Sequence, residues 1–494
     1  MYPRPSRLTL TVTLLGASAL AGCMVGPNYK RPPVETPPQF KEVAGWQPAA
    51  PQDGVDRGAW WSIFNDETLN GLEQKVAVSN QTVIGDLAAY NEARALVAQQ
   101  RAALFPTLDL TSGATEAGQN ITTTVPTNTT TAGGGATTSQ GSRSGQVVTH
   151  TYQVALGASW APDLWGRVRR EIENAKASAQ ASAADLADAK LTLQSELAAD
   201  YFQLRLDDAE IGLLEDTVTA YQRSLTITQN KYNSGVAARS DVLQAKSQLE
   251  TAEASEVDLQ TNRAQSEHAI AVLAGEAPSD LTVAPIKDWK ASVPTTPEVL
   301  PSQLLQRRPD IAAAERNAKA ENALIGVQVA GYYPDITLSG SYGFTSAALS
   351  TLFRASNAAW SYGANATQLV FDAGATSARV RQAKYAYLQS VAEYRQTVLT
   401  AFQQVEDELA ADRVLQKEQP YKQAASDDAD QAVTILLNEY KAGTVDYTSV
   451  VTAQATALTA RQTLLTLQVQ RISTQISLIE ALGGGWTLKD LPKD

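Results

Sequence analysis

The sequence predicts an α+β membrane protein, internally duplicated, in which long helical hairpins carry short β-hairpins. Three observations predict it. First, Asn230-Lys231-Tyr232-Asn233-Ser234-Gly235-Val236 returns 208 positions later as Asn438-Glu439-Tyr440-Lys441-Ala442-Gly443-Thr444. The same offset carries Gly166 onto Gly374, Ala175-Lys176 onto Ala383-Lys384 and Gly275 onto Gly483, which marks a duplication. Second, apolar residues recur in sevens over unusual lengths: Leu197, Leu204, Ile211, Val218, Leu225 and Tyr232, with Leu214 and Tyr221 at the offset positions, then Val451, Leu458, Leu465, Ile472 and Ile479. Heptads of that extent predict a coiled-coil-like seam. Third, each half holds a pair of candidate strands with alternating apolar residues, such as Tyr152, Val154, Leu156, Ala158 and Trp160.

The chain has 494 residues, 44% hydrophobic and only 19% charged, with helical stretches rich in Ala, Gln, Ser and Thr. That mixture suits helices packed on one side and wetted on the other. The net charge of −12 argues against a nucleic-acid partner, which would favour a basic face. Two histidines, His150 and His268, and a single cysteine leave little for a metal site. No P-loop, G-x-S-x-G, HExxH or paired-cysteine motif is present, so neither catalysis nor a cofactor is expected.

Arg4 and Arg7 precede an apolar run, Leu8 to Leu20, too short for a permanent span and laid out as a secretion signal. It ends in Leu20-Ala21-Gly22-Cys23, which resembles the bacterial lipobox. The small residues admit the signal peptidase, and the Cys23 thiol takes up diacylglycerol, an N-acyl chain completing the anchor. A leftover free thiol beside an ordinary cleavage site is the alternative. In lipoproteins an Asp after the cysteine favours the inner membrane; Met24 here points to the outer membrane.

In chain order, 1–22 reads as the signal peptide and 23–64 as a lipidated, Pro-rich extended tether ending at Trp60-Trp61-Ser62-Ile63-Phe64. The first repeat, 65–300, opens with a helix from about Thr68 to Leu104 that Pro106 stops. Its β-hairpin spans about 105–162. Within it, Thr111 to Thr149 is a Thr/Gly/Asn/Ser tract that reads as a long polar loop. A helix of about 65 residues, on the order of 100 Å, runs from Gly166 to a bend at 233–235. A return helix from Ser240 to about Leu273 and an irregular connector follow. The second repeat, 301–485, has its hairpin at about 333–371, with strands Asp335 to Phe344 and Trp360 to Phe371. Its long helix bends at 441–443, and 486–494 form a tail.

Four strands cannot close a membrane barrel, whose smallest examples have eight, and an open sheet edge cannot face lipid. Strands in a membrane would therefore be shared between several chains; a small soluble sheet is the alternative. Three stretches carry a resemblance: Gly26-Pro27-Asn28-Tyr29-Lys30-Arg31-Pro32, Ser159-Trp160-Ala161-Pro162-Asp163-Leu164-Trp165-Gly166-Arg167, and Leu304-Leu305-Gln306-Arg307-Arg308-Pro309-Asp310-Ile311. The chain resembles the TolC-type outer membrane factors, in particular the NodT-like lipoproteins of RND efflux systems. The resemblance implies a homotrimer with a 12-stranded barrel, four strands per chain, continuous with a long periplasmic α-helical barrel. It also implies a periplasmic adaptor, an inner-membrane RND transporter and passive export of small molecules such as drugs. A type I secretion duct, a metal-export duct or a non-conducting structural lipoprotein are the other readings.

The resemblance places a periplasmic gate just past the two bends. Tyr440 and Gly443 match the family's Tyr-x-x-Gly, with Tyr232 and Gly235 at the first bend. Ser240-Asp241-Val242 match a Thr-Asp-Val tip. Ser449 and Thr452 stand where many relatives carry an aspartate ring, and Asp446 is the nearest acid. Packing under the bend is the other reading for Tyr232 and Tyr440, and a helix N-cap for Ser240 and Asp241. Trp160 and Trp165 read as an interfacial belt or as core packing.

Overall fold

A computed structural model describes residues 24–34, 58–130, 136–294 and 308–484. A 3-10 turn, Trp60–Phe64, precedes α1 (Glu67–Ser79), α2 (Gln81–Ala102), β1 (Thr107–Thr130), β2 (Ala136–Trp160), α3 (Arg167–Asn233) and α4 (Arg239–Leu273). Then come α5 (Pro309–Ala330), β3 (Asp335–Ser346), β4 (Ala358–Thr367), α6 (Ala375–Ala442) and α7 (Tyr447–Ala481). The signal peptide, Cys23 and the 486–494 tail lie outside the described residues. The chain forms two compact units, which cut across the two repeats. One comprises Met1–Asn28, Leu96–Asn174 and Asn322–Tyr385; the other comprises Tyr29–Ala95, Ala175–Glu321 and Ala386–Asp494. The reason is that strands of both repeats pair with each other, as do helices of both repeats.

In the first unit the strands form one antiparallel sheet in the order β1-β2-β3-β4. The polar tract expected as a loop is instead strand, paired from Thr107↔Ser159 up to Thr130↔Ala136. Its many threonines explain the difference, since β-branched residues favour strand. β4 ends at Thr367 rather than Phe371, because Asp372 already caps α6, accepting from the amides of Gly374 (2.9 Å) and Thr376 (2.6 Å).

In the second unit the expected first helix is two. Asn80 separates them: its Oδ1 accepts from the amides of Thr82 (2.9 Å) and Val83 (3.2 Å), and its Nδ2 donates to the Leu273 carbonyl. Asparagine competes with the helix for its own backbone bonds. The main core gathers Trp60, Phe64, Leu69, Leu197, Tyr201, Phe202, Leu204, Ile270, Ile472 and Ile476, and a second cluster surrounds Ile311, Tyr394, Val398 and Phe402.

The heptad seam of α3 is fully buried in its first part; lower down Val218 and Leu225 are half-buried against Tyr221 and Leu249. Leu197 and Leu204 are fully buried, whereas Tyr232, 35 residues later in the same register, is exposed. Below Ile211 the offset positions Leu214 and Tyr221 stay buried as expected, joined by the polar Thr217, Ser224 and Thr228. A straight helix drifts about 20° per heptad, so five heptads rotate the predicted stripe by roughly a quarter turn.

A buried ionic clasp holds the connector after α4. Asp208 accepts from Arg205 Nη1 (2.8 Å), Arg263 Nε (2.7 Å) and the Ile286 amide (3.1 Å). Arg205 and Arg263 also donate to the carbonyls of Ala284 and Val283, and Glu267 accepts from the Val283 amide. Arg205 Nε donates to the Tyr201 hydroxyl, which donates to Asp66 at 2.6 Å. Among the described residues, no helix is long and apolar enough to cross a membrane.

Candidate functional site

The sheet has two chemically different faces. The register puts Leu108, Leu110, Tyr152, Val154, Leu156, Trp160, Leu338, Tyr342, Phe344, Trp360 and Tyr362 on one face. The opposite face carries Thr107, Asp109, Thr111, Gln153, Ser159, Asp335, Thr337, Ser339, Ser341, Ser361, Asn365 and Thr367. Apolar side chains stand in the open: Leu110 is 73% exposed, Trp360 70% and Tyr362 83%. Such a patch is not left in water on an isolated domain; alternation of apolar and polar faces is the pattern of a membrane barrel strand. On the apolar face the alternation ends at Glu116, paired across the ladder with His150 at 3.8 Å. From Thr107 to Thr115 that leaves nine residues, the length a tilted strand needs to cross a bilayer. The outer edges of β1 and β4 have no partner strand among the described residues.

Aromatic residues gather at the opposite end of the strands from Glu116. Trp160 Nε1 donates to the Leu104 carbonyl (2.9 Å), and the residue is 38% exposed. Trp165 donates to the Pro334 carbonyl and stacks on Tyr333 at 4.8 Å. Trp160 thus has the amphipathic placement of an interfacial residue, and Trp165 packs.

The segment just after Cys23 is docked, not a free tether. Arg170, fully buried, donates to the carbonyls of Val25 (3.1 Å) and Gly26 (3.2 Å), to Asn28 Oδ1 (2.9 Å) and to Glu173. The Val25 amide donates to the Trp165 carbonyl, and Asn322 donates to that of Pro27. Gly26 passes so close to Gly326 that a Cβ would lie 2.4 Å from its Cα. Farther on, Tyr29 donates to Glu315 Oε1 at 2.6 Å. Sequence reasoning assigned these prolines and glycines to an extended chain and missed the guanidinium that orders them.

The two bends in the other unit share a backbone design. Gly235 and Gly443 have φ of 76° and 82°, a conformation glycine adopts without steric cost. At the first bend the Gly235 amide donates to the Tyr232 carbonyl and Val236 to Lys231; at the second, Gly443 donates to Tyr440 and Thr444 to Glu439. Both are the paired bonds of a Schellman cap.

The side chains there differ. Tyr440 is buried with Ala245, Tyr447 and Val450; its hydroxyl donates to Thr228 (3.4 Å), and Lys231 Nζ lies 4.1 Å over its ring and donates to its carbonyl. Burial pushes the Tyr440 hydroxyl pKa up, Thr228 opposes this, and the Asp241 charge adds to it. Tyr447 is pushed up to about 12 by burial. Tyr232 is 41% exposed and makes none of these contacts. The packing reading therefore fits Tyr440 and not Tyr232.

Ser240 and Asp241 do not cap their helix. The cap position of α4 is Ala238, without a side-chain bond, and Ser240 Oγ donates to Asp241 Oδ1 at 3.2 Å. Both sit inside the first turn, where the carboxylate faces the positive end of the helix dipole. The cap is at the other bend: Asp446 Oδ1 accepts from the Ser449 amide (2.9 Å) and hydroxyl (2.8 Å), which holds its carboxyl below the usual range. Asp446, Ser449 and Thr452 line one groove of about 430 Å³ with Ala429, Ala432 and Leu436. Thr452 Oγ1 donates back to Thr448 of its own helix. No group of three or more metal-ligating side chains occurs among the described residues.

Comparison with known proteins agrees with this geometry. The family model for outer membrane efflux proteins matches residues 74–276 and 300–484, one match per repeat. The chain is 30% identical over 485 residues to the toluene efflux pump outer membrane protein TtgC of Pseudomonas putida, covering 97% of this chain and 96% of TtgC. It is 29% identical over 478 residues to the cation efflux system protein CusC of Escherichia coli, covering 95% and 97%. Among solved structures, the outer-membrane channel OprN superposes with a TM-score of 0.81 at 29% identity, covering 94% of this chain and all of that one. CusC superposes at 0.79 with 26% identity and the same coverages. Two-faced strands, duplicated helical hairpins and a double family match over most of the chain converge: the protein belongs to the outer membrane efflux protein family.

Proposed function

We propose that three copies of the chain close their sheets into one 12-stranded barrel, and that the barrel is the outer-membrane exit of a tripartite RND-type pump. The observation that carries this reading is the four-stranded, two-faced sheet with both edges bare among the described residues. Lipid cannot satisfy those edges, four strands are too few to close, and three fours make a ring of ordinary size. The polar face then lines the pore. Along Thr107–Thr115, Thr151–Trp160, β3 and β4 the only charges are Asp109 and Asp335, both on that face, so the pore favours cations. The duct has no chemistry of its own; small molecules reach it from an inner-membrane transporter through a periplasmic adaptor. Secretion and metal export use the same kind of exit, and no observation on this chain favours them.

The bends, in this reading, close the periplasmic end. The detergent-extracted protein is expected to have the mass of a trimer and to give small, mostly closed, cation-preferring currents in planar bilayers. Tyr440→Ala removes the ring that Thr228, Lys231 and Tyr447 hold, and should raise conductance; conductance equal to the parent sinks the gating role. A monomer without conductance removes the shared barrel and favours a stalk-like lipoprotein.

Cys23, one residue before the docked segment, is proposed as the acylated anchor. Cys23→Ala should abolish radioactive palmitate incorporation while trimers still insert; undiminished labelling overturns the lipobox assignment.

A further inference from the structure

The β1–β2 hairpin is far longer than a membrane requires. β2 pairs with β3 only from Tyr152 to Trp160, and β3 with β4 over ten residue pairs, while β1 and β2 pair over 24. Past the Glu116–His150 pair, a two-stranded ribbon continues from Ala117 to Thr130 and back from Ala136 to Thr149. Fourteen residues of strand reach about 45 Å. We infer that the ribbons of the three chains pair with one another, edge to edge, as a β-collar above the outer mouth of the barrel.

The inference rests on the shared-barrel reading and on four further observations. Among the described residues both edges of the ribbon are bare along their whole length, and an isolated two-stranded hairpin is marginally stable in water. Bare edges are usually protected by charge or by proline, yet from Ala117 to Thr149 the sequence has one charged residue, Arg143, and one proline, Pro126. In a chain of net charge −12, this neutrality lets copies approach without repulsion. Finally, the free edge of β1 is continuous: its lower part, Thr107 to Glu116, is the edge the barrel joins to β4 of the next chain. Since β4 begins only at Ala358, its outer end, that strand leaves β1 further up uncovered. Strong twist is the habit of two-stranded ribbons and lets them lean over the gap left by the shorter β3–β4 hairpins. A polysaccharide offers hydroxyls but no in-register row of amides and carbonyls, so a second copy fits the edges better. Ring diameter grows with strand number; six ribbon strands in place of twelve make a narrower exit.

The exposed Asn120 provides the test. Asn120→Cys in the full chain, treated with a short bismaleimide in outer membranes, should give covalent dimers and trimers on denaturing gels. Neighbouring ribbons in a collar place these residues about two strand spacings, or 10 Å, apart; on a bare barrel Asn120, on the same face as Leu108, Leu110 and Glu116, points outward and away from its counterparts. The parent chain, with only Cys23, should give none. A second variant, Asn120→Lys/Gln146→Lys, should lose protease resistance of the ribbon while remaining trimeric. Single-chain bands from a protein whose detergent mass is trimeric overturn the collar and leave the shared barrel standing. Protection of the introduced thiol by lipopolysaccharide, in place of cross-linking, overturns it in favour of a polysaccharide contact. A monomeric mass overturns the reading on which the collar rests.

Discussion

Asp208→Ala should lower the unfolding free energy by about 3–5 kcal/mol, the usual cost of stripping one partner from a buried ion pair. The Asp208 side chain is wholly buried and stands between two guanidiniums, Arg205 and Arg263. Coulomb attraction alone does not make the arrangement favourable, because three charges have left water. What makes it favourable is that the other donors also find acceptors: Ala284 and Val283 carbonyls, Tyr201 and Glu267. Removing the carboxylate leaves a net positive charge in the core and frees the Ile286 amide. Asp208→Asn keeps the shape and some of the hydrogen bonding, and should fall between parent and alanine. Thermal unfolding followed by far-ultraviolet circular dichroism checks the order. A midpoint unchanged in Asp208→Ala would mean that water already screens the clasp. The Lys287–Glu215 pair offers a control on the same connector: both side chains are substantially exposed, so breaking it should leave the unfolding midpoint nearly unchanged.

The bends, the duplication and the two faces of the sheet were legible in the sequence because each rests on local chemistry. A glycine three residues past a tyrosine specifies a left-handed cap wherever the helix sits, and period-two alternation needs no knowledge of the partner strand. Three features depended on distant groups and were not legible. Nothing local says that Asn80 will find the Leu273 carbonyl and split a helix. The Thr-rich tract has loop composition, and it pairs because two such stretches face each other. Tyr232 and Tyr440 occupy equivalent places in the repeat, but only Tyr440 meets Thr228 and Lys231, both supplied by the other repeat. Heptad counting was right about the helix and about its offset positions Leu214 and Tyr221, which are buried, and wrong about Tyr232, since period seven and period 3.6 part company over 35 residues. The family resemblance brought the gate residues together as a set. The structure divides them: Asp446, Ser449 and Thr452 share a groove, Tyr440 belongs to a buried cluster, and Tyr232 stands outside both.

Glu73→Gln should make the protein more stable at alkaline pH and leave it unchanged near pH 4. Glu73 lies in the apolar stripe of α1 between Leu69, Leu72 and Val76 and is wholly buried, with no hydrogen-bond partner for either carboxylate oxygen among the described residues. Burial alone pushes its pKa up to about 9. An unfolded glutamate titrates near 4.3, so below that pH both states carry the proton and Glu73 contributes nothing to the pH dependence. Above it the unfolded chain releases the proton while the folded one keeps it, and stability falls as pH rises, by up to about 1.36 kcal/mol per unit. The loss continues until the folded carboxyl itself ionises near pH 9. By pH 7.5 it amounts to roughly 4 kcal/mol. Asp188 and Asp200, both raised to about 6 by burial, add a loss of the same sign that is complete by about pH 6. Asp185, Asp207, Glu210, Glu408 and Glu480 are also raised by burial, so the difference between the parent and Glu73→Gln isolates Glu73. Glutamine is nearly isosteric and never ionises, so from pH 7 to 9 the parent's unfolding midpoint should decline more steeply than the variant's. Parallel curves for the two proteins would mean that Glu73 is charged in the folded state, and hence that water or a cation reaches it. The direction also bears on assembly. A helix whose core stripe is neutral only when protonated packs best on the acid side of neutrality, so α1 should be the first element of its unit to loosen as pH climbs. Faster hydrogen exchange in Glu67–Ser79 at pH 8.5, after correction for the intrinsic rate, would register that loosening.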